Sequence, residues 1–272
     1  ATSAPAAAAT EAAATEAAAP VQKTTRVITV KVPMEVESRT RFADGTLDEV
    51  TNSEYDPSGL LLIGQTRLSA SGTLLEDVQY AYQGSLLVTK TSRDAEGKLL
   101  SVRTFTYDGV GRLSGESLKD GAGKPVSASL YAYDAAGKRV AWIIKDAKGV
   151  QVAETLYTVK DGRVMGAELR DGTGKKNGHS VYAYDAAGNI VSQKYYNALG
   201  SLQRIEASVW ENGKPVREER QTAGGQVQYR TDYVYGPEGE LQRKTTVDVP
   251  GNATKIVEYA YTFRDERRTV EE

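Results

Sequence analysis

The sequence predicts an all-β fold: an antiparallel strand–turn meander of about 18 strands, built on a two-strand unit of about 26 residues. Three observations predict it. Turn-like glycines recur at positions 45, 59, 72, 84, 97, 111, 123, 137, 149, 162, 174, 188, 200, 213, 225, 239 and 251, with every gap 12, 13 or 14 residues. Removing a turn of about four residues leaves about eight or nine per segment, a normal strand length. Two aromatic columns run in phase with the glycines, and β-branched and aliphatic residues fill the segments between them.

Residues 1–22 come first. Of the first twenty, twelve are Ala and none is aromatic. Such a stretch has nothing large to bury, and an isolated helix of this length is marginal in water. It is read as a flexible tether bracketed by Pro5 and Pro20. The chain begins with Ala, which fits a cleaved signal peptide, with a lipidated cysteine upstream of Ala1 as one route to anchoring. The expected location is therefore extracytoplasmic, in a periplasm or at a cell surface.

The repeat domain is expected to span residues 23–263. Its turns alternate between two kinds. One follows a tyrosine pair, as in Tyr131-Ala132-Tyr133-Asp134-Ala135-Ala136-Gly137 and Tyr182-Ala183-Tyr184-Asp185-Ala186-Ala187-Gly188. The other lacks the pair, as in Lys145-Asp146-Ala147-Lys148-Gly149. Asp can accept backbone hydrogen bonds at the start of a type I turn, and Gly can take the positive φ that closes it. Asp134 and Asp185 are thus read as turn residues. An aliphatic residue often follows two places later, as at Leu61, Leu86, Leu113, Val164, Ile190 and Leu241.

The first aromatic column is Tyr55, Tyr82, Tyr107, Tyr133, Val159, Tyr184, Trp210, Tyr235 and Tyr261. The second lies two places earlier: Tyr80, Phe105, Tyr131, Tyr157, Tyr182, Tyr233 and Tyr259, interrupted by Ser53 and Ser208. Residues two apart share a strand face, so both columns define one aromatic-rich face. That face is expected to be core, stacked across the sheet, or an extended ligand surface. The candidate ligand-binding residues are Tyr80, Tyr82, Tyr131, Tyr133, Tyr157, Tyr182, Tyr184, Trp210, Tyr233 and Tyr235.

The segment Tyr107-Asp108-Gly109-Val110-Gly111-Arg112-Leu113 resembles the YD-repeat motif of Rhs proteins and teneurins, and Tyr133 to Gly137 and Tyr184 to Gly188 resemble it less completely. The resemblance covers roughly residues 40–263. It implies a long antiparallel ribbon that spirals into a hollow shell, sometimes around a toxin, and it implies carbohydrate binding in some members. This chain reads as a short version without a toxin domain, folded as a curved single-layer sheet, a spiral or an incomplete shell. Residues 264–272 read as a charged tail.

Composition narrows the function. The chain has no Cys and one His, and its formal net charge is −2 from 34 basic and 36 acidic residues. Disulfides, thiol catalysis and Cys-ligated zinc are excluded. His179 is expected in an exposed loop or at a strand start. No basic stripe points to nucleic acid, and no apolar run is long enough for a membrane helix. Lys244, Asp248, Arg217, Glu219, Arg220, Arg230 and Asp232 occupy both strand parities, which argues against lipid exposure. No metal or cofactor motif is present. The expected function is a non-catalytic, exported structural or interaction scaffold, as one subunit of a larger assembly, with an envelope protein or a polysaccharide as partner. The alternatives are a glycan-binding module using the tyrosine ladder, and a toxin-shell fragment or immunity partner.

Overall fold

A computed structural model describes residues 25–271 of the chain, so the expected tether of residues 1–22 lies outside the described residues. Eighteen strands follow one another: β1 (Thr25–Phe42), β2 (Leu47–Tyr55), β3 (Leu62–Ser69), β4 (Leu74–Gln83), β5 (Leu86–Arg93), β6 (Leu99–Tyr107), β7 (Leu113–Asp120), β8 (Pro125–Tyr133), β9 (Arg139–Asp146), β10 (Gln151–Lys160), β11 (Arg163–Asp171), β12 (Lys176–Tyr184), β13 (Ile190–Asn197), β14 (Leu202–Glu211), β15 (Lys214–Thr222), β16 (Val227–Tyr235), β17 (Leu241–Asp248) and β18 (Ala253–Glu271). Each pairs antiparallel with the next, and β1 also pairs with β18. The sheet is therefore a closed barrel. The open sheet or incomplete shell expected from the sequence is corrected on this point. An open meander leaves two unpaired edges, and closure removes both.

The turns are built as their sequence implies. In Asp134-Ala135-Ala136-Gly137-Lys138 the Gly137 N–H donates to the Asp134 carbonyl at 3.0 Å, and the Asp134 N–H donates to the Lys138 carbonyl at 2.9 Å. The Asp134 carboxylate also accepts the Lys138 N–H at 2.8 Å. Gly137 sits at φ +79°, where a Cβ would be strained. Asp161-Gly162 and Asn212-Gly213 make tighter turns with both residues at positive φ, the geometry that suits a two-residue hairpin. Sixteen of the seventeen predicted turn glycines have positive φ. In the last turn Asn252, at φ +46°, takes that conformation instead of Gly251.

The chain divides into two compact units. Residues 32–264 form the barrel. Residues 25–31 and 265–271 continue β1 and β18 as the second unit, where Lys31 and Asp265 form a 2.6 Å ion pair. Residues 264–271, expected as a charged tail, are thus part of β18.

The barrel's strands expose their two faces unequally. Val78, Ser92, Ser129, Ala167 and Ser180 are 3–9% exposed, and all share the face of the tyrosines. Residues of opposite parity, such as Leu130, Val181, Val209 and Val234, are 40–52% exposed. A closed sheet crowds side chains on its concave side and splays them on its convex side. The tyrosine face therefore turns inward. A barrel of this strand number leaves interior space beyond its own side chains.

Candidate functional site

The first aromatic column is a set of interstrand ties. A β-bulge precedes the column residue in β2, β4, β6, β8, β10, β12, β14 and β16. The ring then reaches back to the start of the preceding strand. Its polar hydrogen is donated to the backbone carbonyl twenty residues earlier: Tyr82 to Leu62 (2.9 Å), Tyr107 to Leu87 (2.8 Å), Tyr133 to Leu113 (2.7 Å), Tyr184 to Val164 (2.7 Å), Trp210 to Ile190 (2.8 Å), Tyr235 to Pro215 (2.9 Å) and Tyr261 to Leu241 (2.8 Å). Each such bond contributes about 0.5–1.5 kcal/mol. Val159 has no hydroxyl to offer, so the rung is missing in β10.

Cations cover several of these rings. The Arg112 guanidinium lies 4.8 Å from the Tyr133 ring centre, Arg163 5.5 Å from Tyr184, and the Lys214 ammonium 5.0 Å from Tyr235. All three cations immediately follow a turn glycine. Burial, with the nearby Glu35 charge second, pushes the Tyr261 hydroxyl up to about 12. Seven polar groups of the first column are thus tied to the backbone, and three of its rings carry a cation.

The second column meets side chains. Tyr80 donates to Gln65 (2.7 Å), Tyr131 to Glu116 (3.1 Å) and Tyr233 to Glu218 (2.6 Å), while Gln193 donates to Tyr182 (2.7 Å). Arg139 stacks 4.3 Å from the Tyr131 ring and Lys90 5.6 Å from Tyr80. Burial raises the Tyr80 and Tyr182 hydroxyls above their ordinary range. Burial raises Tyr233 too, helped by its bond to Glu218.

Cross-strand register exposes a longer period that the 26-residue columns conceal. Four rows of facing residues run across four strands each. They are Ser53–Gln65–Val78–Ser92, Phe105–Glu116–Ser129–Ile144, Tyr157–Ala167–Ser180–Tyr195 and Ser208–Glu218–Thr231–Thr246. Corresponding members lie 51 or 52 residues apart. The five buried residues that mark the tyrosine face all belong to the first three rows. These rows are the barrel's small cores.

The fourth row is open. Its four members line a groove of about 440 Å³ together with Glu206, Arg220 and Tyr229. Tyr229 is 42% exposed. Glu206 is held by Arg204 at 3.4 Å and Arg220 at 3.7 Å, and it accepts the Tyr195 hydroxyl at 3.0 Å. Burial first, with the Glu206 charge, pushes Tyr195 up to about 12. Ser208 was visible in the sequence as a break in the second column. Tyr229 and Tyr195 belong to neither column, and the 26-residue period gives no reason to single them out.

The predicted tyrosines thus share one face but are spread around the barrel rather than gathered at one site. His179 lies inside β12, half-buried and stacked on Tyr196 with ring centres 4.7 Å apart, not in an exposed loop or at a strand start. Asp134 and Asp185 cap turns, accepting backbone N–H groups at 2.8 Å. Among the described residues no group of His, Asp and Glu could hold a metal ion, and no helix is long and apolar enough to cross a membrane.

No protein-family model matches the chain, and no curated protein matches it. Solved structures do. A crystal structure of TcdB2–TccC3–Cdc42 is 13% identical over 85% of this chain and 15% of that one, with a TM-score of 0.36. A porin-like protein from Bacteroides uniformis is 13% identical over 84% and 96% of the two chains, with a TM-score of 0.44. A porin-like protein from Bacteroides vulgatus is 12% identical over 85% and 99%, with a TM-score of 0.37. This chain spans about 15% of the length of the TccC3-containing chain.

Proposed function

We propose that this chain is a short YD-type repeat barrel acting as a non-catalytic scaffold outside the cytoplasm, with an envelope protein as its partner. One observation carries the reading: the repeated aromatic residues are used for cohesion. Seven first-column hydroxyl or indole hydrogens are tied to the backbone, and Arg or Lys lies over several of the rings. The most regular feature of the sequence therefore builds a rigid wall. The convex face is left for contact.

That face is charged along much of the barrel. Arg217 and Arg230 pair with Asp232 at 2.7 and 2.9 Å, and Arg170 pairs with Glu168 at 2.7 Å. Exposed pairs of this kind contribute only about 0–1 kcal/mol to stability. An outward Arg at a bilayer midplane would cost about 2–4 kcal/mol. Water and protein, rather than lipid, suit this surface.

The test is capture of envelope proteins on the immobilised full chain, comparing wild type with Arg217→Glu/Arg230→Glu. A specific protein retained by wild type and lost, with folding intact, from the charge-reversed variant supports the scaffold reading. Retention of polysaccharide alone, or capture indifferent to the reversal, would sink it.

A further inference from the structure

We propose that the groove over Ser208–Glu218–Thr231–Thr246 binds a phenolic ring. The inference does not depend on the scaffold reading. It comes from laying the third and fourth rows side by side. In the third, Tyr157 and Tyr195 stand at the two ends, and the small residues between them, Ala167 and Ser180, are 6% and 3% exposed. In the fourth, both tyrosines are replaced by hydroxyl side chains, Ser208 and Thr246, and Ala167 is replaced by Glu218. The neighbouring row changes in the same sense: Leu169 and Gly178 give way to Arg220 and Tyr229.

Two phenol rings have thus left the site, and an acceptor, a cation and a new aromatic wall have entered it. The space remains open as the groove. Glu218 is suited to receive a phenol, because it already accepts the Tyr233 hydroxyl at 2.6 Å. No ion pair to Glu218 is present among the described residues, whereas Glu206 beside it is held by two arginines. A ring entering the groove would lie against Tyr229, whose other neighbour is the Arg220 guanidinium 5.7 Å from its centre. Offset stacking and a charge-assisted hydrogen bond are the two contacts that a phenol combines. The ring could arrive as a free small phenol or as a partner's tyrosine side chain.

Titrations of the full chain with p-cresol, followed by NMR of both components, test this, with a tyrosine-containing tripeptide as the second arm. Saturable binding of p-cresol is expected, with toluene at least about tenfold weaker, since a site built to bond a hydroxyl rejects the analogue lacking it. Ser208→Tyr should abolish binding by refilling the groove, and Glu218→Gln should weaken it about tenfold while the melting curve stays in place. Tighter binding of the tripeptide than of p-cresol would identify a protein source, and the reverse a small molecule. Equal binding to wild type and both variants overturns the proposal, as does binding of methyl glucopyranoside in place of p-cresol. Should Ser208→Tyr fail to fold, Glu218→Gln decides alone.

Discussion

Strands β10–β13 and β14–β17 have the same hairpins and the same register, yet one group closes over a core and the other opens a groove. In the first, Tyr157 and Tyr195 shelter Ala167 and Ser180. In the second, the facing residues are all polar and none is buried. The backbone is therefore indifferent to what the rows contain. Interstrand hydrogen bonds, turn geometry and first-column ties hold the wall, and the rows are free to specialise.

That comparison can be broken most directly by exchanging row residues. Ala167→Glu places the fourth row's carboxylate where the site is only 6% exposed. It should cost about 3–5 kcal/mol in denaturant unfolding, the range for an uncompensated buried charge. Glu218→Ala in the open row should cost less than about 1 kcal/mol. Equal effects would show that the two regions are not differently packed. Tyr157→Ser comes next, expected to cost about 2–3 kcal/mol by uncovering the row, against neutral to about 1 kcal/mol of stabilisation for Ser208→Tyr.

The first column offers a smaller contrast between the same regions. The rung is missing at Val159 and present at Trp210, which donates to Ile190. Val159→Tyr should gain about 0.5–1.5 kcal/mol by donating to the Arg139 carbonyl, and Trp210→Phe should lose about 1 kcal/mol. No gain at Val159 would mean that the ties follow from packing rather than contribute to it.

The last contrast is in pH. Tyr195 is raised to about 12 in the fold, from about 10 in an unfolded chain. A raised hydroxyl favours the protonated native form, so its contribution is complete below about pH 10 and is lost as pH rises through about 12. Tyr195→Phe should flatten that part of the alkaline unfolding curve. Thr246, its counterpart in the open row, carries no titrating group, so no matching change is expected from Thr246→Val.

Much of this fold was legible. The strand number, the alternating turns and the positions of the aromatic columns all follow from glycine and tyrosine spacing. At the last turn the spacing points to Gly251, but Asn also tolerates the left-handed conformation, and Asn252 takes the role. Closure was not legible. Whether the first and last strands meet depends on tilt and twist summed over all the others, which no local segment encodes. The columns follow from the spacing, but their work does not: in six strands a bulge precedes the first-column ring that reaches a carbonyl twenty positions back, and Tyr261 makes the same tie in β18. The groove was hidden by choice of period. At 26 residues Ser208 is one break in a column; at 51 it is the counterpart of Tyr157.

The four-strand period also fixes the bore of the barrel. The rows occupy β2–β5, β6–β9, β10–β13 and β14–β17, leaving β18 and β1 as the closing pair. Girth is thus counted in modules of 51 or 52 residues. One more module would give twenty-two strands and add about 19 Å of sheet width, at about 4.8 Å per strand. Gene duplication would resize such a vessel in steps, like staves added to a cask, without any change to the joints.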